Sequence, residues 1–284
     1  MRDWTKNIKS MCDFLYTQTN NAGLSSVVLG LSGGVDSAVV AKLCVEVFKD
    51  KATALLMPSS TSNPRNLLDA RNFATSIGIK HIEIPIAPFE AQMREKLLPS
   101  FGHKDFTNVN ELDNLRIGNF CARVRMAILY DFSLANGALV VGTSNKSEIF
   151  LGYGTIFGDL ACAINPIGGL FKSEIFALAK ELGIPQAIID KPPSADLFEN
   201  QSDEADLGYS YTQIDEFLCA FEAFLKKHNL KFSTLTIKDS PTLVLIANEL
   251  EEMGFKKPLI VSLMQRILKN NFKFRLPNIL GFVE

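Results

Sequence analysis

The chain has 284 residues, enough to bury a full core as one large or two small domains. Its 29 Lys and Arg against 31 Asp and Glu leave a net charge of −2, which favours neither generic nucleic-acid binding nor adhesion to an anionic membrane. The five cysteines (Cys12, Cys44, Cys121, Cys162, Cys219) are odd in number and lack CxxC spacing, so neither a disulfide framework nor a zinc site is indicated.

The N-terminal stretch has no apolar core of signal-peptide type, and no uncharged apolar run reaches membrane-spanning length. A soluble protein of a reducing cytoplasm is the default expectation. The apolar spacing of Ile8, Met11, Cys12 and Leu15 predicts an amphipathic helix from Thr5 to Thr19. Val27, Val28, Leu29 and Leu31 then read as a buried parallel strand. Ala38, Ala41, Leu43, Val45 and Phe48 lie in a helix after it. Between the two stands Ser32-Gly33-Gly34-Val35-Asp36-Ser37. Strand, glycine turn and helix start together aim backbone N–H groups at a phosphate. Asp36 would repel that phosphate unless a cation lay between them, which suggests Mg²⁺. The loop is no Walker A sequence, because no Gly-Lys-Ser/Thr follows.

Ala52 to Met57 is a second strand, stopped by Pro58. Asn63 is placed to cap a helix with Pro64 at its first position, running to Gly78. His81 to Ile84 is a third strand. Asp113 to Phe132 is the longest helical pattern, with Arg116, Asn119 and Arg123 on one face. The ordinary reading of that face is a solvated one. Ala138 to Val141 is a fourth strand, leading into Gly142-Thr143-Ser144-Asn145-Lys146-Ser147-Glu148. Alternating strands and helices predict an α/β, doubly wound parallel sheet with flanking helices. Ligands bind such sheets at the carboxyl ends of the strands. Both polar turns lie there, so Glu148 is expected near Asp36 in one Mg²⁺ site.

Leu151 to Ile167 is glycine-rich and reads as a loop over the site. Lys172 to Leu182 is a helix, Lys191 to Leu197 an extended segment, and Ser202 the cap of a further helix. Ile214 to His228 is helical, and Leu230 to Glu284 mostly so. No repeat or clear linker interrupts residues 1–284, which are read as one compact domain.

The Ser-Gly-Gly-x-Asp-Ser loop resembles the signature of the ATP pyrophosphatases, which cut ATP between the α- and β-phosphates. Gly142-Thr143 with Glu148, Asn165-Pro166, Lys172, Lys191-Pro192-Pro193-Ser194-Ala195-Asp196-Leu197 and Gln201-Ser202-Asp203-Glu204 follow in order. Together they resemble NAD synthetase of the ammonia-dependent kind. That resemblance implies an adenine nucleotide alpha-hydrolase-like fold of the ATP pyrophosphatase type. It places ATP-binding positions on Gly30, Leu31, Ser32, Gly33, Gly34, Val35, Asp36, Ser37, Thr143, Lys172 and Ser194, and Mg²⁺ on Asp36 and Glu148.

For deamido-NAD it implies Arg123 and Lys273. Three further positions depart from the family pattern: Ile156 stands for a lysine, Ala163 for an aspartate and Phe272 for a histidine. The implied reaction is amidation of deamido-NAD with ammonia through an acyl-adenylate, releasing AMP and pyrophosphate. No general base is evident among the residues. No glutaminase region precedes the synthetase-like one, so free ammonia is the implied nitrogen source. A homodimer is implied too, with Asp113 to Phe132 as its contact. The rival readings are another ATP pyrophosphatase amidase, of the GMP synthetase kind, and a nucleotide-binding regulatory protein that has lost amide synthesis. A tRNA-modifying enzyme would show sulfur-transfer cysteines and a basic surface, and neither is visible.

Overall fold

The computed structural model describes residues 3–100, 109–194, 202–232, 235 and 240–274. Four strands form one parallel sheet in the order β3-β2-β1-β4: β1 (Ser26–Gly30), β2 (Ala52–Leu56), β3 (Lys80–Glu83) and β4 (Ala138–Val140). Val27 pairs with Ala52 on one side and Leu139 on the other, so β1 is central. The order steps outward from β1 to β2 and β3, then returns to place β4 on the far side of β1. That reversal is a topological switch point, and it opens a crevice at the carboxyl ends of β1 and β4.

Strand side chains alternate between two cores, as a period of two requires. Val27, Leu29, Ala52, Ala54 and Leu56 face helices α1 (Trp4–Asn21), α2 (Val35–Phe48), α3 (Pro64–Ile77), α8 (Lys172–Glu181) and α9 (Gln186–Ile189). Val28, Leu55, Ala138 and Val140 face the opposite layer, where α6 (Val109–Asn136) contributes Ile117 and Cys121. Helix α2 is apolar nearly all round because it lies between the sheet, α1, α3 and α8. A third core lies apart from the sheet. It joins α7 (Lys146–Leu151), α10 (Asp203–Leu207), α11 (Tyr211–Lys227), α12 (Ser240–Glu252) and α13 (Lys257–Asn270) around Phe217, Phe221 and Phe224. Each such fully buried aromatic contributes roughly 1.5–3 kcal/mol by leaving water.

The expected elements are present with modest changes of boundary. Asn63 caps α3 by accepting from the Arg65 N–H, with Pro64 in the first turn. Ser202 occupies the N-cap of α10, but its side chain makes no capping hydrogen bond. The long helix runs beyond both expected ends, and Ala195, Asp196, Leu197 and Gln201 lie outside the described residues. No described helix is long and apolar enough to cross a membrane.

One helical run was not expected. It comprises α4 (Ala87–Gln92), a π turn (Met93–Leu97) and α5 (Leu98–Ser100). Its buried Glu90 accepts from the backbone and hydroxyl of Ser60 at 2.9 and 2.8 Å and pairs with Arg94 at 2.7 Å. This ties the polar loop after β2 to the layer beside it. Burial raises the Glu90 pKa, but the Ser60 and Arg94 hydrogen bonds outweigh it and hold the carboxyl below its ordinary 4.5. A depressed native pKa adds stability above the unfolded value, lost as pH falls through the native one. Glu90→Gln should therefore cost about 2 kcal/mol at neutral pH. Its thermal midpoint should converge with that of the parent as the pH drops below 4.5. A midpoint deficit unchanged by acid would contradict the charged state assigned to Glu90.

Candidate active site

The first polar turn sits between β1 and α2, with Gly34 as the helix N-cap. Gly33 has φ +84°, and a Cβ there would lie 2.2 Å from the Asn66 carbonyl oxygen of α3. Only glycine meets both conditions. The two serines shape the loop. Ser37 Oγ donates to the Gly34 carbonyl at 3.0 Å and accepts from the Ser32 N–H at 3.3 Å, and Ser32 Oγ accepts from the Gly34 N–H at 3.3 Å. The first turn of α2 thus opens into the crevice with its helical N–H groups uncommitted to earlier carbonyls.

The second turn, after β4, lies opposite. Asn145 and Glu148 form a reciprocal capping box at the start of α7. Asn145 also donates from Nδ2 to Asp36 Oδ1 at 3.0 Å, which joins the two turns directly. Lys172, at the start of α8, completes the meeting. Its Nζ forms an ion pair with Asp36 Oδ2 and lies 3.8 Å from Glu148 Oε1. Three residues from three separate helices thus form one charged centre, with Lys172 only 2% exposed.

Burial is the largest influence on the Glu148 carboxyl and pushes its pKa well above the usual range. The Asp36 charge adds to that rise and the Lys172 ammonium opposes it. At Lys172 burial acts to lower the pKa, but Asp36 and then Glu148 outweigh it, and the ammonium is held more firmly charged than a free lysine. Asp203 borders the same centre. Tyr211 and Tyr153 each donate to it at 3.1 Å, and the Lys172 ammonium lies 5.4 Å from the Tyr211 ring centroid.

Thr143 follows β4, and Ser194 is exposed at the end of the described 191–194 segment. In that segment Lys191 donates to the Gly33 carbonyl at 3.0 Å and pairs with Asp69 at 2.6 Å. It latches the 191–194 segment to the glycine turn and α3, and its role was not legible from the rigid Lys-Pro-Pro reading. Asn145 was also missed, although its spacing to Glu148 carries the capping signal.

The residues implied for the second substrate gather around the glycine-rich stretch instead. Arg123 Nε donates to the Ile156 carbonyl at 3.3 Å, and Asn119 Oδ1 accepts from the Thr155 hydroxyl at 2.7 Å. The helix face read as solvated is therefore a support for this loop. Lys273 adds another, donating to the carbonyls of Gly152 and Gly154 at 2.7 and 2.9 Å. Burial draws its pKa below the usual lysine value, with Asp159 opposing. Phe272 is exposed, and Ala163 is exposed while its N–H bonds Val140 at 3.0 Å.

A parallel sheet whose switch point joins a glycine–serine turn to a second acidic turn defines an α/β enzyme of the ATP pyrophosphatase fold. The NAD synthase family model matches residues 7–277. An NH3-dependent NAD+ synthetase of Helicobacter pylori is 48% identical over 278 residues, spanning 98% of this chain and 96% of the relative. One from Campylobacter jejuni is 46% identical, spanning 89% and 96%. Among solved structures, the NH3-dependent NAD synthetase of Campylobacter jejuni in complex with the nitrate ion aligns with TM-score 0.75 at 38% identity, over 99% of this chain and 100% of that one. The NMN synthetase of Francisella tularensis aligns with TM-score 0.79 at 28% identity, over 99% and 100%. The chain belongs to the NAD synthase family.

Proposed function

We propose that this chain makes NAD from deamido-NAD, ATP and ammonia, with adenylation at the centre formed by Asp36, Glu148 and Lys172. The observation that carries the site assignment is the convergence of Lys172 on both acidic turns. A carboxylate does not react usefully with ammonia, because oxide would have to leave. Attack of the nicotinate carboxylate on the ATP α-phosphate forms a C(O)–O–P bond and breaks the α–β bridge. Pyrophosphate leaves. Ammonia then attacks the acyl carbonyl, AMP departs with the bonding pair, and a proton is lost from nitrogen. The Ser32–Ser37 turn and the α2 N-terminus hold phosphate oxygens, and Lys172 offsets charge building on the departing pyrophosphate.

Asp36 and Glu148 fit Mg²⁺. Two carboxylates with no third ligating side chain clustered with them, among the described residues, suit an ion that keeps waters and takes its other ligands from phosphates. When bound there, Mg²⁺ supplies charge neutralisation for those phosphates. Arg123 and Lys273 act on deamido-NAD through the 152–156 loop they hold, with Ile156, Ala163 and Phe272 giving that side a more apolar character than the family pattern. We assign the whole chain to one domain and to the cytoplasm. We also assign a homodimer joined through α6, which leaves Leu115, Tyr130 and Leu134 exposed. Sedimentation velocity showing only monomer at micromolar concentration would remove that part of the assignment.

The decisive experiment measures pyrophosphate and NAD together, with ATP, Mg²⁺ and ammonium, offering deamido-NAD, its mononucleotide counterpart or xanthosine monophosphate. Only deamido-NAD should yield equal amounts of pyrophosphate and amide, and glutamine should not replace ammonium. Glu148→Gln should lower turnover about 100-fold while raising the Mg²⁺ needed for half-maximal rate. Preference for another acceptor would overturn the substrate assignment, and a normal Mg²⁺ requirement in that variant would overturn the metal assignment.

A further inference from the structure

One hydrogen bond removed from the charged centre lies a buried carboxylate with no counter-cation in hydrogen-bond contact among the described residues. Asp215 of α11 is 4% exposed and bonds neither the Ser32–Ser37 turn nor the side chains of Asp36, Glu148 and Lys172. Its Oδ1 accepts from the Ser147 hydroxyl, and its Oδ2 accepts from the Ser173 N–H at 2.7 Å. Ser147 Oγ in turn accepts from the Lys172 N–H at 2.9 Å. Ser147 adjoins Glu148 and Ser173 adjoins Lys172. Two hydrogen bonds to one carboxylate, and a third to the hydroxyl it orients, therefore fix α7 against α8 immediately behind the residues that face the nucleotide.

We propose that Asp215 is a positioning residue for the adenylation step: it locks the starts of α7 and α8 together, so that Glu148 and Lys172 are held at one spacing. The bonding pattern is specific to a carboxylate. Three protons point inward, from the Ser147 hydroxyl and the Ser173 and Lys172 amides, and three acceptor positions receive them. An amide at 215 has one acceptor oxygen and one N–H₂ group. It must set a donor against the Ser173 N–H or reverse the Ser147 hydroxyl, which already accepts from Lys172. The first arrangement breaks the link to Ser173, and the second leaves the Ser147 hydroxyl proton without its acceptor, so either weakens the clamp. Asp215 shares no hydrogen bond with Arg123, Lys273 or the loop they hold, so the effect is expected at the ATP end.

This inference rests on the assignment of Glu148 and Lys172 to ATP, and Glu148→Gln and Lys172→Met assayed in parallel test that reading by itself. Asp215→Asn, assayed below its own melting temperature, should release pyrophosphate about 100-fold more slowly, the scale of a 1 Å misplacement of reacting groups. NAD formation should fall in step, with the KM for deamido-NAD within about threefold of wild type. Ser147→Ala opens the same clamp from the other end and should match it. The double variant should be no slower than either single variant, because both remove one shared interaction. The proposal is overturned if either folded variant keeps wild-type pyrophosphate release, if the deamido-NAD KM alone changes, or if the two effects multiply. If Asp215→Asn does not fold, Ser147→Ala decides by the same measures, and loss of folding in both would make the carboxylate a structural group only.

Discussion

Lys172→Met should leave a folded protein that releases pyrophosphate some 10²- to 10³-fold more slowly, the loss typical of removing one preorganised donor at a developing charge. Methionine keeps the length and apolar stem but deletes the ammonium that contacts Asp36 and stands 3.8 Å from Glu148. Breaking a buried ion pair by removing one partner costs about 3–5 kcal/mol when the other is left charged. Burial and the Asp36 charge raise the Glu148 pKa and Lys172 opposes them, so loss of the ammonium raises it further. The native lysine pKa lies above the ordinary 10.5. The charge it contributes is therefore constant through the neutral range, and so should be the rate deficit. Pyrophosphate release measured across that range checks both points. Retention of a tenth or more of the wild-type rate, on the same scale of expected loss, would remove Lys172 from the reaction centre.

Gly33→Ala should be at least as damaging, but through shape. Alanine at φ +84° is in the left-handed region, at about 1–2 kcal/mol, and its methyl would lie 2.2 Å from the backbone oxygen of Asn66. A backbone carbonyl in α3 cannot swing aside as a side chain can. Either α3 shifts or the turn flattens, and both break the Ser32–Ser37 pattern and pull Gly33 from its Lys191 contact. ATP binding, read by calorimetry with a non-hydrolysable analogue, should weaken by more than about 100-fold, roughly 3 kcal/mol. Gly34→Ala is the control. Its Cβ meets only Ser32 Oγ at 3.4 Å, with ordinary backbone angles, so it should fold with a normal melting temperature. An alanine at 33 that binds ATP normally would show that the turn does not contact the nucleotide.

The central turn was legible because glycine, serine and aspartate at that spacing have few other reasons to lie between an apolar strand and helix. The alternation of strands and helices likewise forced a parallel sheet, and the sheet forced both polar turns to one edge. Helix 87–100 was not legible, because its buried face includes Glu90, a charge that periodicity counts as surface. Asp215 was hidden for the same reason: within an apolar helix pattern a lone carboxylate reads as outward-facing. Only the tertiary placement of Ser147 and Ser173 turns it inward. Arg123 was singled out for deamido-NAD, but a sequence cannot say that its guanidinium reaches a carbonyl 33 residues away.

The contacts of Lys273 with the Gly152 and Gly154 carbonyls carry a consequence for biosynthesis. Every side chain of the charged centre precedes residue 173, and the Lys191 latch follows soon after. The loop beside them receives its last support only from the final helical turn described, at Asn271–Phe274. On the ribosome the nucleotide end of the crevice is thus chemically complete well before the acceptor end is braced. A chain shortened ahead of Lys273 retains the glycine–serine turn beside a loop held only from α6 and, through Tyr153, from α10.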